Sequence, residues 1–334
     1  WIFSSVTSFN QDLSSWDVSS VTTMYGMFFG ATSFNQDLST WDVSSVTNMN
    51  VMFQGASSFN GDISNWDVSN VTNMSGMLRQ TDSFNQDLWS WDVSSVLNMS
   101  HMFKETVNFN QDLSNWDVSN VTNMKHMFSA SNFNGDISGW NVSSVTDAGE
   151  MFTDAVSYNQ DLSSWNVSSM INMSYMFLRA SSFNQDLSSW NVSNVEGMYA
   201  MFDGTDGLSD ENKCAIHNSW SVQSTEWPYD WDSFCGSTTI NVPADYSTIQ
   251  EGIDAASDGD TVLVSQGTYT ENLILEKEIV IASHAINDNL NSDWTNNENI
   301  QGTIINGVPE PSNPAFGSCL VIRDGNIAPI IIGL

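Results

Sequence analysis

Basic residues are scarce in this chain of 334 residues, which carries seven Lys and Arg against 39 Asp and Glu, for a formal charge of −32. That balance argues against nucleic acid or anionic membrane as partners, because phosphate contacts and lipid attraction both need Lys and Arg. It suits a protein that stays soluble in salty or divalent-rich water, or one that binds cations. The acid is not gathered in a tail, since 19 carboxylates fall in residues 1–202 and 20 in the rest. Long apolar runs are missing too, and nothing reaches the roughly 18 consecutive apolar residues of a membrane-spanning helix. The four histidines are scattered and no G-x-S-x-G occurs, so a hydrolytic triad has little to stand on. Cysteine is limited to Cys214, Cys235 and Cys319.

What the chain has instead is repetition. The stretch from Phe9 to Ser33, FNQDLSSWDVSSVTTMYGMFFGATS, returns with small edits from Phe34, Phe59, Phe84, Phe109, Phe133, Tyr158 and Phe183, giving eight tandem copies. The period is 25 residues, except for the copy of 24 that starts at Phe109. A period of this size signals a solenoid rather than a conventional globular core. Trp1–Ser8 aligns with the end of a copy, Phe3 matching Phe28, so the chain is expected to begin inside a coil, with any secretory leader further upstream.

Within a copy, Leu13, Trp16 and Val18 give the L-x-x-L-x-L spacing of a leucine-rich-repeat strand. Alternation along a strand then sends Trp16 and Val18 inward and Ser15 and Asp17 outward. After Ser19-Ser20 the spacing changes to Val21, Met24, Met27, Phe28 and Ala31, one apolar stripe on a short helix or 3₁₀ segment. Ser20, replaced by Asn70, Asn120 and Asn194 in other copies, is placed to cap that segment. One copy cannot bury both a Trp and a Phe-Met cluster alone, so the core is expected to form only on stacking, at about 4.8 Å per coil. The tryptophans at 16, 41, 66, 91, 116, 140, 165 and 190 should form an internal ladder.

Three polar series run through the array. Asp12 and its equivalents, Asp37, Asp62, Asp87, Asp112, Asp136, Asp161 and Asp186, are placed to accept backbone N–H groups in Asx turns or, in the alternative, to be bridged by Ca²⁺. Asn10 and its equivalents suggest an amide ladder at the corner. The outward row reads Asp17, Asp42, Asp67, Asp92, Asp117, then Asn141, Asn166 and Asn191, and is the candidate face for binding or assembly. Stacked carboxylates at about 5 Å repel by about 1 kcal/mol per neighbour in water, so the row is read either as a solvated face or as a place where Ca²⁺ bridges Asp17 to Asp117. No other cofactor is implied.

The period breaks at residues 203–236, where Trp220, Trp227, Tyr229, Trp231 and Phe234 suit a lid over the last layer of the array. Cys214 and Cys235 can clasp it as a disulfide, and a loop of about 20 residues gains roughly 3 kcal/mol in the chain-entropy picture. A disulfide points to an oxidising compartment. Cys214 with His217 gives a poor zinc spacing.

Residues 237–334 turn to short Val/Ile-rich segments. Ser247-Thr248-Ile249-Gln250 reads as a capping box opening a short helix with Ile249, Ile253 and Ala256 on one face, ending at Gly259. Strands are expected at Thr261–Ser265, Asn272–Leu275, Glu278–Ala282, Thr303–Ile305, Cys319–Ile322 and Pro329–Ile332, with Cys319 a buried thiol. The segment carries only Lys277 and Arg323 as basic residues, too few to neutralise a polyuronate.

Two resemblances follow from these residues. The repeat F-N-x-D-L-S-x-W-D-V-S-x-V-x-x-M-x-x-M-F over residues 1–202 resembles the BspA-type leucine-rich-repeat surface proteins of the short 25-residue class. The Cys214–Cys235 segment, with W-P-Y-D-W, is similar to the cap that follows such arrays. Residues 237–334, opening I-x-V-P-x-D-Y-x-T-I-Q-E-G-I-D-A-A, are similar to the first coils of the pectin-lyase-like right-handed parallel β-helix, cut short. The first resemblance implies an extracellular or cell-surface protein used in adhesion, matrix or host contact, acting by self-association or on other surface proteins, without catalysis. The second implies either a non-catalytic surface module or the start of a polysaccharide-active or glycan-binding protein, whose catalytic residues would lie in later coils.

Overall fold

The computed structural model describes residues 1–236, 238–257, 259–277 and 279–283, and the strand residues 303–306, 320–322 and 330–332. The chain divides into two compact units, Trp1–Asp230 and Trp231–Leu334. Cys319 and Arg323, named above, lie outside the described residues.

The first unit is a repeat array, and its joins are backbone hydrogen bonds from one copy to the next. In the segment after Val21 every second N–H crosses to the following copy: Met24 to Asn48 O, Gly26 to Asn50 O, Phe28 to Met52 O and Gly30 to Gln54 O, at 2.7–3.0 Å. The intervening residues close three-residue turns, Met27 N–H to Met24 O and Phe29 N–H to Gly26 O. The same pattern recurs down the array. A column of parallel bridges runs through Thr23, Asn48, Asn73, Asn98, Asn123, Asp147, Asn172 and Gly197.

This backbone differs from the one expected. No helix or 3₁₀ segment forms at Val21–Ala31, and no strand at Leu13–Val18. The helix is broken by two left-handed residues per copy, four apart: Gly26 and Gly30 in the first, Gly76 and Gln80 in the third, His101 and Glu105 in the fourth. Spacing by threes and fours fits a string of tight turns as well as it fits a helix, and the apolar pattern alone does not separate them. With no helix to cap, Asn70, Asn120 and Asn194 donate Nδ2 to the carbonyls of Ser44, Ser94 and Ser168 in the preceding copy. At Leu13–Val18 the chain turns twice, with Trp16 N–H on Leu13 O and Val21 N–H on Val18 O. Inside and outside still alternate as read, because the turns keep the Trp and Val on the core side: Trp41 and Val43 are buried and Asp42 is exposed.

The core is a set of parallel columns. Seven of the eight ladder tryptophans are buried, and Trp16 of the first copy is 42% exposed. Trp41, Trp66, Trp91, Trp116 and Trp140 stack nearly parallel at 6.3–6.5 Å. Each buried indole N–H finds a carbonyl in the copy before it, Trp41 on Leu13, Trp66 on Leu38 and so on to Trp190 on Leu162. A second column runs Phe34, Phe59, Phe84, Phe109, Phe133, Tyr158, Phe183 at 5.8–6.4 Å. A third runs Phe103, Phe128, Phe152, Phe177, Phe202. Truncating one of these rings to Ala removes its transfer energy and leaves a cavity, about 3–5 kcal/mol.

The copy of 24 residues is accommodated at one corner. Ser131 Oγ donates to Phe128 O and accepts from Phe133 N–H, where other copies use the backbone carbonyl. Asn132 Nδ2 reaches Val107 O in place of the missing residue's N–H. Register is preserved on both sides.

The array ends in a helix that the repeat reading missed, α1 (Asp210–Trp220), capped by Ser209. Its Trp220 continues the indole column, stacking on Trp190 at 5.9 Å and donating to Leu187 O. Trp227 packs edge-on against Trp220, and Tyr229 Oη accepts from Phe202 N–H and donates to Asp203. These three fill the lid role expected of them. Trp231 and Phe234 belong to the second unit and pack on each other. Cys214 and Cys235 are disulfide-bonded.

The second unit contains β1 (Thr239–Val242), α2 (Ile249–Ala255), β2 (Thr261–Val264), β3 (Gly267–Thr270), β4 (Leu273–Leu275), β5 (Val280–Ser283), β6 (Thr303–Asn306), β7 (Leu320–Ile322) and β8 (Ile330–Ile332). Pairing is parallel throughout, and the chain visits three sheets in rotation: β1-β2-β5-β8, β3-β6 and β4-β7. The capping box is Thr248 with Glu251, one residue later than read, and α2 ends at Ala255. β1 and β3 were not anticipated. Ile249, Ile253 and Ala256 of the helix face join Val242, Val262, Val264, Leu273, Leu275 and Ile281 in one apolar cluster. Among the described residues no helix is long and apolar enough to cross a membrane.

Tyr158 is the one tyrosine in a phenylalanine column, and its Oη is buried without a hydrogen-bond partner. An unsatisfied buried hydroxyl costs about 1–3 kcal/mol, so Tyr158→Phe should raise stability by about 1–2 kcal/mol, read from denaturant midpoints with unchanged m-value.

Candidate functional site

The outward row lies where the sequence placed it, with Asp17, Asp42, Asp67, Asp92, Asp117, Asn141, Asn166 and Asn191 all exposed. Each residue folds back on its own copy. The side-chain oxygen accepts the N–H two residues on, Ser19 for Asp17 and Ser143 for Asn141, at 3.0–3.2 Å along the row. The serine hydroxyl adds a second bond, 2.6 Å to Asp42 and 2.7 Å to Asn141. Asn therefore does for the backbone what Asp does, because the turn needs an acceptor and not a charge. The serine bonds hold Asp17, Asp42 and Asp117 below the usual carboxylate range, and for Asp42 the neighbouring Asp17 pushes the other way.

The Asp12 series forms its Asx turns in every copy, with the N–H two residues on at 2.8–2.9 Å. The Asn10 series makes a ladder of a different kind from the one expected. Each side-chain carbonyl accepts the backbone N–H of the next asparagine, Asn10 from Asn35 at 2.9 Å and Asn35 from Asn60 at 2.7 Å. It extends to Ser209 in the cap. Among the described residues no group of three or more His, Cys, Asp or Glu is arranged to hold a metal ion. Row carboxylates sit one per copy with an oxygen engaged by serine, which is no cage for Ca²⁺ within one molecule.

Sequence reasoning missed a second feature. All four basic residues of the array, Arg79, Lys104, Lys125 and Arg179, and both its histidines, His101 and His126, fall at positions 17–22 of their copies. Sorting the rare basic residues by place in the repeat would have found them. They share one arc, the left-handed turn segment, where His101, His126 and Arg179 themselves occupy left-handed positions. The two imidazoles lie 4.5 Å apart. Arg179 is held by Asp154 in a bidentate pair at 2.5 and 2.7 Å. Among the described residues Lys104 and Lys125 make only long ionic contacts, 3.9 Å to Glu105 and to Glu150. His126 Nδ1 is 3.2 Å from Glu150 Oε2 without the alignment of a hydrogen bond. Small residues in the fifth copy, Ser129 and Ala130, leave a hollow of about 290 Å³ between Lys104 and Arg179, with Glu150 and Tyr175 on its rim.

Burial first, then Arg79, Lys104 and Lys125, pulls the pKa of His101 down to about 4. Burial, then Lys104, His101, Lys125 and Arg79, takes His126 down to about 3. Both are neutral at pH 7. The unfolded chain takes up these protons near pH 6.5 and the folded one only near 4 and 3, so their contribution is full above about pH 6.5 and is lost as pH falls toward 4. Thermal melts between pH 7 and 4.5 should show a falling midpoint, and His126→Gln should flatten that slope.

In the second unit, Lys277 Nζ donates to the carbonyls of Asp254 and Ala256 at the end of α2, at 2.7 and 2.5 Å. Glu271 accepts the N–H groups of Ile249 and Gln250 at its start. Both side chains thus fasten the helix.

Neither a curated protein nor a solved structure matches the chain. A family model does, in overlapping spans that follow the repeat: residues 1–70, 39–132, 61–155 and 106–220. Those spans cover more than half of the chain, which therefore belongs to the family described as "Mycoplasma protein of unknown function, DUF285".

Proposed function

We propose that the protein is a non-catalytic structural or adhesive component of an extracellular or cell-surface layer, built on a leucine-rich-repeat-like solenoid and acting through contacts along its length. The observation that carries this reading is the register of the array. Hydrogen bonds, rings and polar rows repeat once per copy, so any group exposed in one copy is presented again at a fixed step in the next. A surface of that kind suits repeated weak contacts with another regular surface, where many small energies combine through effective concentration. The disulfide at Cys214 and Cys235 is consistent with an oxidising compartment. Partners are other copies of the chain or other surface proteins, with Ca²⁺ available to bridge carboxylate rows of separate molecules.

A second reading, the first part of a polysaccharide-active or glycan-binding protein, draws on one observation. The rotation of β2 to β8 through three parallel sheets resembles the opening of a right-handed β-helix. Against it, Lys277 is engaged by backbone carbonyls and offers a polyuronate little.

Sedimentation of the purified chain over a range of concentration, with and without EDTA, tests the first reading. Association that grows with concentration is the expected result, with part of it lost on chelation if Ca²⁺ bridges the rows; a monomer under all conditions refutes a layer built from copies of this chain. Asp42→Asn should keep the fold and shift the melting midpoint slightly upward at low salt only, whereas Asp42→Ala, which leaves the Ser44 N–H and hydroxyl without their acceptor, should lower it by about 1 kcal/mol in stability.

A further inference from the structure

The row and the arc each carry charge that the fold does not use. Asn141, Asn166 and Asn191 make the same serine bonds as the aspartates, so the turn is satisfied without a carboxylate. Negative charge in the row is nevertheless confined to the first five copies, from Asp17 to Asp117. Among the described residues, Lys104 and Lys125 on the arc are held only by contacts at 3.9 Å, and the buried Arg79 Nε has no hydrogen-bond partner. These three cations occupy successive copies, the third, fourth and fifth. Nowhere else in residues 1–202 is there a Lys or Arg besides the Asp154-bound Arg179.

A chain with a formal charge of −32 repels its own copies over most of its surface. We infer that the arc bearing Arg79, Lys104 and Lys125 docks on the exposed carboxylate row Asp67, Asp92 and Asp117 of a second copy of the chain. The pitch selects that occupant. Arg79 and Lys104 stand at one position of successive copies and so rise by one inter-copy step, as do the carboxylates of the row, because both are set by the same ladder of backbone bonds; Lys125 lies four positions earlier in the next copy. Two arrays lying side by side therefore keep the Arg79 and Lys104 pairs in phase with no adjustment of either backbone, and Lys125 adds its charge on the same arc. His101 and the buried His126 lie beside these cations and, neutral at pH 7, add no charge to the arc. Since the row and the arc are different surfaces of one molecule, the contact is heterologous, and each copy can give one surface and receive on the other, which builds a chain of copies rather than a closed pair.

This inference rests on the self-association proposed above, and the experiment separates the two. Two variants are made in the full chain, Lys104→Glu/Lys125→Glu and Asp92→Lys/Asp117→Lys, with Lys104→Gln/Lys125→Gln as a milder form should the reversal impair folding. Self-association is followed by sedimentation in EDTA at low ionic strength. The wild type should associate and lose this as salt is raised, and each variant alone should associate about tenfold or more weakly. Mixing the two reversed variants should restore association between unlike chains. Wild-type association that ignores both sets of substitutions, or no recovery in the mixture, overturns the docking mode while leaving self-association standing; a wild type that never associates overturns both. Binding of a soluble polyuronate that is lost in the Lys104/Lys125 variants, with self-association intact, assigns the arc to an acidic polysaccharide instead and also overturns it.

Discussion

An indole buried in this array has its N–H satisfied by a carbonyl belonging to the copy before it. Trp116 donates to Leu88 and Trp140 to Leu113, and none of these bonds can form within one copy. The same holds for the backbone: the N–H groups of Met24, Gly26, Phe28 and Gly30 point away from their own copy. Burying such donors unpaired would cost more than the ring burial returns, so the fold is cooperative between neighbours from the outset. The terminal copy must be met by something offering the same ring and the same donors. Trp220 supplies the ring, and Gln223, which accepts Val192 N–H and donates to Trp190 O, supplies the polar side.

Given that constraint, sequence drift is confined to places where the joins do not notice. Leu78 stands in the phenyl column, and Ala148 replaces a core methionine; both are fully buried. At the left-handed positions, side chains as different as Gly26, Val51, His101 and Tyr175 are accepted, although an L-residue there costs about 1–2 kcal/mol relative to glycine. The arc is thus the part of the copy with the loosest sequence requirement, and it is where the basic residues have accumulated. The arc proposed for docking is also the segment that tolerates change.

Much of the interior was legible in the sequence because burial follows from residue type whatever the backbone does. Trp41, Val43, Met49 and Phe53 are inside and Asp42 is outside, as the pattern implied, yet the strand and helix assigned to them are both absent. A left-handed residue is readable when it is Gly26 or Gly30 and unreadable when it is Val51 or Glu150, so the turns could not be told from a helix. Helix α1 was hidden by its neighbours: Ser209 followed by Asp210 and Glu211 is a sound start, but the aromatic residues of the lid drew the reading to packing. The polar rows were found since they repeat. The arc was not, because its members Arg79, Lys104, Lys125 and Arg179 appear once each and share only a six-residue stretch of the repeat.

The bonds that join the copies run along the stacking direction. Tension applied to the two ends of the array would be borne by every join in full, as by links in a chain, and its strength is that of the weakest link and not of the average. The phenyl column that passes from Phe28 to Phe53 at 5.4 Å is interrupted by Leu78 before resuming at Phe103. Joins on either side of Leu78 keep their backbone bonds and two of the three ring columns, Trp66 on Trp91 and Phe59 on Phe84, but lack the third, so under load they are the joins expected to part first.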